Sequence, residues 1–206
     1  MADLKISQLT GATTPLAGTE TLPLVQSGST KKVTVDQLTT GKVVPADGVK
    51  FPATQVASSD PNTLDDYEEG TWTPTYAATG TGFAALTMDV VSATYTKIGR
   101  QVTVRGFIRT DNVDITGATG DLILSGLPFA SDGSNNGWSA LSIGFASDWA
   151  VNTPLYGRVA NGQTYMFLCK RTLVTGPDSL VAFSDMTTGA SADKNQLIFS
   201  ATYFTA

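Results

Sequence analysis

The sequence predicts a mainly β protein with a small N-terminal hairpin unit (residues 1–40), an extended linker (41–61) and an antiparallel, jelly-roll-like β-sandwich (62–206). Three observations predict it. From residue 70 onward apolar and polar residues alternate, as in RQVTVRGFIRT, where Val102, Val104 and Ile108 share one face and Thr103, Arg105, Phe107 and Arg109 the other. Breaks rich in Gly, Asn and Asp (SDGSNNG, TGPDS, TTGASADKNQ) separate these runs at short intervals. No segment carries the period of a long amphipathic helix.

Taken in order, residues 1–40 hold ISQL, a Gly/Thr/Pro turn, and two β-prone runs, TLPLVQ and KKVTV, around Ser27, Gly28 and Ser29, which reads as a hairpin. VDQLTTG reads as one helical turn closed by Gly41. The apolar residues are too few for an independent core, so a unit of this size needs a partner surface or copies of itself. Ile6, Leu9, Leu22, Leu24, Val33, Val35 and Leu38 are the candidate docking residues. Residues 41–61, with Pro45, Pro52 and Pro61, read as an extended spacer. Its reach when stretched is roughly 70 Å at ~3.3 Å per residue.

NTLDDYEEGTWTPTY follows. Asp60 as cap, Pro61 at the first helical position and Gly70 as terminator predict a short, irregular turn. It forms a structural gateway of Asp65, Asp66, Tyr67, Gly70, Trp72 and Tyr76 whose acids stay solvated or meet a neighbouring subunit. In TWTPTY the alternation puts Trp72, Pro74 and Tyr76 on one side, as core or as a seam between subunits. SATYTKIG and RQVTVRGFIRT form a hairpin about Ile98–Gln101. DLILSGL, SALSIGFA, LYGRVA, QTYMFLCK, SLVAF and NQLIFSATYFT follow as strands, and the last is expected to pair within the sheet.

Composition narrows the chemistry. A formal charge of -5 argues against nucleic acid, whose phosphates select a basic stripe. The absence of histidine removes His-based triads and the commonest zinc ligand. Cys169, the single cysteine, lies in the apolar run YMFLC and reads as a packing residue. MADLKISQL lacks the organisation of a signal peptide, and no apolar run reaches the ~20 residues of a membrane span. The expectation is a protein made in the cytosol that needs no cofactor and does not insert into membranes.

Asp65, Asp66, Glu68 and Glu69 could supply a glycosidase pair, but neighbours on a strand point to opposite faces. Asp111, Asn112, Asp114 and Asp121 in TDNVDITGATGD are calcium-like in composition, without the bidentate Glu or the fixed spacing. No catalytic or metal residue is therefore assigned. Arg100, Arg105 and Arg109 are expected on the outside of the sheet, solvated or in ion pairs between subunits. Trp138 and Trp149 sit beside SDGSNNG and ASDWAVN, so each either meets a ligand or tucks beneath its loop. Asn135, Asn136, Trp138, Asp148 and Trp149 are the candidate ligand contacts.

Two stretches carry a family resemblance. KISQLTGATTPLAGTETLPLVQSGSTKKVTVDQL resembles the N-terminal segment of tailed-bacteriophage fibre and appendage proteins, which run K-I-S-Q/E-L, small residues, L-P-[apolar]-V-Q-x-G-x-T-x-K and a closing D-L or Q-L. LDDYEEGTWTPTY, YTKIGRQVTVRGFI and LSGLPF, in that order, resemble a β-sandwich module of phage structural proteins, especially in marine and cyanobacterial phages. The matches touch roughly half the chain at single-sequence resolution. The resemblance implies a non-enzymatic virion protein, a homotrimer held to other virion proteins by its N-terminus, with host attachment through a surface glycan as one role. It leaves open a short tail fibre, a capsid head fibre or decoration protein, and a glycan-binding receptor module. A polysaccharide depolymerase fits poorly, because such enzymes usually need a long β-helix.

Overall fold

Ser27 and Gly28 both take positive φ, 51° and 73°, as a type I′ turn requires. They join β1 (Thr21–Gln26) to β2 (Ser29–Thr34), antiparallel from Thr21↔Thr34 to Gln26↔Ser29. This hairpin lies in the first of two compact units, Met1–Lys50 and Phe51–Ala206. The computed structural model describes residues 19, 21–35, 51–52, 54–60, 62–171 and 179–205, without the side chains of 24–26 and 191–192. Ile6, Leu9, Leu38, the predicted turn after Val35, Pro45 and Pro61 lie outside the described residues, as does the side chain of Leu24.

The second unit is one curled, ten-stranded antiparallel sheet. Its strands are β3 (Tyr67–Thr71), β4 (Thr75–Ala78), β5 (Ala85–Ile98), β6 (Gln101–Asp114), β7 (Leu122–Ser125), β8 (Ser139–Ser147), β9 (Tyr156–Val159), β10 (Tyr165–Lys170), β11 (Ser179–Leu180) and β12 (Gly189–Phe204). The order is β3-β5-β6-β12-β8-β9-β10-β7-β4, with β11 on β10. The two ends of this sheet, β3 and β4, are joined by only Trp72, Thr73 and Pro74. A sheet whose ends are so tethered must fold over on itself, and its inner face becomes the core of a sandwich.

The alternation predicted for the central hairpin is present. Val102, Val104 and Ile108 are buried while Thr103 and Arg105 face out, and Gly99, at φ 55°, makes the tight turn. The C-terminal strand β12 inserts between β6 and β8. Its Leu197, Phe199, Ala201 and Tyr203 join Leu122, Leu124, Leu141, Met166 and Leu168 in the core. Each large apolar side chain buried there contributes about 1.5–3 kcal/mol. Cys169 is buried.

Two elements differ from expectation. Residues 67–71 form a strand rather than the end of a helical turn, because the free edge of β5 offers a ladder from Tyr67↔Ile98 to Thr71↔Thr94. Gly70 is therefore not a helix terminator. A Cβ there would stand 2.7 Å from the Tyr95 ring, so the glycine makes room for that side chain. Only a turn at Asp60 remains of the capping pattern, with Asn62 N donating to Asp60 Oδ1 (2.9 Å) and Thr63 N to Asp60 O (3.0 Å). The stretch TTGASADKNQ, read as a break, belongs largely to β12. Register shifts between Ala190, Lys194 and Leu197 interrupt its pairing with β6 and hide its strand character.

Where the chain crosses from one end of the sheet to the other, Trp72 and Tyr76 are core residues. Trp72 Nε1 donates to Thr94 O at 3.2 Å, and the ring meets Phe199 edge-on with centroids 6.0 Å apart. Beneath this corner Gly126 takes φ 97°, and a Cβ on it would overlap the Thr73 carbonyl. Gly126→Ala is expected to cost about 2 kcal/mol in urea unfolding, from backbone strain plus overlap. Gly82→Ala, with nothing within 4 Å, should stay within about 0.5 kcal/mol of the parent.

Candidate functional site

The four acids of the gateway go separate ways. Asp66 and Lys97 form a buried ion pair, with Lys97 Nζ 5.3 Å from the Phe129 ring centroid. Burial pulls the Lys97 ammonium below its ordinary value. This corrects the expectation that the acids stay solvated or meet a neighbouring subunit, since Asp66 is neutralised inside its own chain. Asp65 Oδ2 accepts from Ser58 N at 2.9 Å, and that backbone hydrogen bond holds its carboxyl below the usual range. Glu69 accepts from the Tyr67 hydroxyl, a bond that raises the tyrosine's pKa. Phe51, 5.8 Å from the Tyr67 ring, and Ser58 tie the approach segment to the sandwich. These are structural roles for Asp65, Asp66 and Glu69, and Glu68 and Glu69, successive residues of β3, point to opposite faces.

The calcium-like stretch is equally dispersed. Asp111 and Asn112 are successive residues of β6 and point to opposite faces. Asp114 Oδ1 is engaged by Thr116 N at 2.9 Å. Among the described residues no three His, Cys, Asp or Glu side chains converge. Arg105 lies on the outer face and donates to Thr94 Oγ1 (2.9 Å). Arg109 bridges Asp89 and Asp193 of its own chain.

The five loop candidates fall into two groups at opposite ends of β8. Trp138 immediately precedes that strand and Asp148 immediately follows it, so they are separated by roughly 30 Å at ~3.3 Å per residue. At the far end Trp149 is tucked inward. Its Nε1 donates to Gln196 O at 3.3 Å and its ring meets Tyr76 edge-on at 5.7 Å. Asp148 Oδ2 accepts from Ser147 Oγ (2.7 Å) and Gln196 Nε2 (2.8 Å). These two residues brace the loop against the start of β12.

At the near end the loop is built for exposure. Asp132 Oδ1 accepts from Ser134 N at 2.7 Å and Oδ2 from Arg100 at 2.8 Å. The Ser134 backbone bond first, and Arg100 after it, hold the Asp132 carboxyl below its ordinary value, so it stays an acceptor. Ser134 caps the single 3-10 turn Asn135–Gly137. Gly137 is required there, because a Cβ would overlap the Asp132 carbonyl. The result is an open cavity of about 530 Å³ lined by Arg100, Asp132, Asn135, Asn136, Trp138, Ser139 and Phe204. Trp138 is 47% exposed and Phe204 46%.

Behind Trp138, Arg158 of β9 lies between two rings, its guanidinium carbon 5.3 Å from the Trp138 centroid and 4.9 Å from that of Phe167. Phe167 in turn meets Tyr165 edge-on at 5.4 Å. Asn135, Asn136 and Trp138 are thus brought together as the sequence suggested. Asp132, Phe204 and Arg158 were missed, and Arg100, expected to be solvated or paired between subunits, pairs with Asp132 of its own chain. SDGS carries an Asx-turn signal that could have flagged Asp132. The others depend on register, since Arg158 meets Phe167 only because β9 and β10 pair at those positions.

In the hairpin unit Leu22 lies directly opposite Val33. Leu22 is 48% exposed, and Val33 and Val35 are half-buried. Compared with protein-family models, with curated proteins and with solved structures, the chain finds no match.

Proposed function

We propose that this chain is a non-enzymatic structural protein of a tailed-bacteriophage particle, a short tail fibre or similar appendage. Its first unit docks to other virion proteins and its sandwich is displayed as a homotrimer. The observation that carries this reading is the hairpin unit. A two-stranded ribbon cannot bury its own apolar face, and Leu22 opposite Val33 leaves a patch that a partner surface would cover. The motif order from KISQL to VDQL and the LDDYEEGTWTP…LSGLPF series support the same reading. The sandwich supports display rather than catalysis, since its carboxylates brace the fold.

Particles assembled with Leu22→Asp in place of the parent chain test the docking. Incorporation is expected to fall by about tenfold or more, as burying a leucine is worth about 1.5–3 kcal/mol and a buried charge costs further. Full incorporation of Leu22→Asp, or absence of the parent protein from purified particles, overturns the docking role. Immunogold electron microscopy distinguishes tail from head. A solution mass of one chain would remove the trimer.

A further inference from the structure

Docking and display leave unused an exposed cation held by aromatic rings, with no carboxylate partner among the described residues. Arg158 is exposed, and the ion pairs among the described residues do not include it. Trp138 and Phe167 clamp its guanidinium from two sides, so little rotamer freedom remains to be lost on binding a ligand. In the adjoining cavity Arg100 and Asp132 neutralise one another. Arg158 therefore stands beside this cavity as a positive charge unbalanced among the described residues, on a chain whose formal charge is -5. Trp138 links this cation to the cavity, whose lining adds a second half-exposed ring, Phe204, an ionised acceptor at Asp132 and the exposed amides of Asn135 and Asn136.

We infer that this is a binding site for an acidic saccharide. A pyranose ring presents a C–H face that stacks on Trp138 or Phe204. Its hydroxyls match Asp132, Asn135 and Asn136, which offer both acceptors and donors. Its carboxylate matches Arg158 in a charge-assisted, bidentate geometry. A purely apolar ligand would cover the amides of Asn135 and Asn136 without pairing them, an uncompensated desolvation. A neutral sugar would leave Arg158 without its counter-charge. The inference rests on the proposed reading only in treating the sandwich as the displayed unit. Its test reads saccharide binding, whereas docking is read from incorporation, so either can fail alone.

Full-length protein is applied to an array of uronate- and sialate-containing oligosaccharides, each printed beside its methyl ester, and the best pair is then titrated calorimetrically. Retention on an acidic saccharide is expected, with the ester weaker by about tenfold, the loss of one charge-assisted contact. Arg158→Gln should weaken the acid by a similar factor and leave the ester unchanged. Trp138→Ala should weaken both by about tenfold. Arg158 is a surface residue, so its variant is expected to keep the parent's thermal midpoint, which makes that arm decisive if Trp138→Ala folds poorly. Absence of binding to every acidic saccharide overturns the inference. So does equal binding of acid and ester, or an Arg158→Gln variant that binds the acid like the parent.

Discussion

Asp185→Ala is expected to destabilise the sandwich by about 3–5 kcal/mol, the cost of leaving a buried charge without its partner. Asp185 is 1% exposed and pairs with Lys170 of β10, itself buried. It also accepts from Asn152 Nδ2 (2.7 Å) and Ala182 N (2.8 Å), while its carbonyl accepts from Ala150 N (2.8 Å). One residue thus ties β10, the loop after β8 and the turn before β12. Replacing both ends of the pair with apolar residues, Lys170→Met with Asp185→Leu, should cost far less than the single change, because no orphaned charge remains. Equal loss in the single and double variants, by urea unfolding, would contradict the account.

The same residue gives a pH dependence whose sign follows from its surroundings. Burial pushes the Asp185 carboxyl up, but hydrogen bonds from Lys170, Asn152 and Ala182 outweigh it and hold the group below its ordinary value. A depressed carboxyl contributes stability that is complete above the unfolded value of ~3.9 and is lost as pH falls through the lower folded value. The parent should lose stability on acidification below about pH 4. Asp185→Ala should show a shallower loss over the same window.

Asn195→Ala is expected to cost about 3–4 kcal/mol, measured in the same way. Asn195 is 0% exposed and takes φ 47°, a conformation that asparagine tolerates better than alanine. Its Nδ2 donates to Thr110 Oγ1 (2.9 Å) and Thr187 O (2.9 Å), and its Oδ1 accepts from Thr187 N (2.8 Å). Its carbonyl accepts from the buried Tyr76 hydroxyl at 2.7 Å. Asn195→Gly removes the strain but not the lost bonds, and should recover only about 1 kcal/mol. Full recovery with glycine would show that the backbone alone set the residue. Because this joint lies at the end of β8 remote from Trp138, the folded variant should retain the saccharide affinity of the parent.

Much of the architecture was legible in alternation and turn chemistry. Val102, Val104 and Ile108 mark the inner face of β6 because a strand turns successive side chains to opposite sides. Ser27-Gly28 and Gly99 mark their turns because those positions need positive φ. Legibility ended where pairing overrides local pattern. The early part of β5 and of β12 carries register shifts, at Met88 and between Ala190 and Leu197, that break the two-residue period. DDYEEG has local features of a capped turn, yet the open edge of β5 recruits it as a strand.

The candidate site divides along the same line. The sequence by itself determined that the second unit is a β-sandwich, that Trp72 and Tyr76 carry an apolar face, and that Asn135, Asn136 and Trp138 share a loop. Those features depend on neighbours within a few residues. Only the tertiary structure decided that Asp66 is neutralised by Lys97, 31 residues away, that Trp149 turns inward while Trp138 stays open, and that Arg158 is clamped behind it. Each depends on which strands lie side by side, and that is set by how the whole sheet closes through the short Trp72–Pro74 crossing.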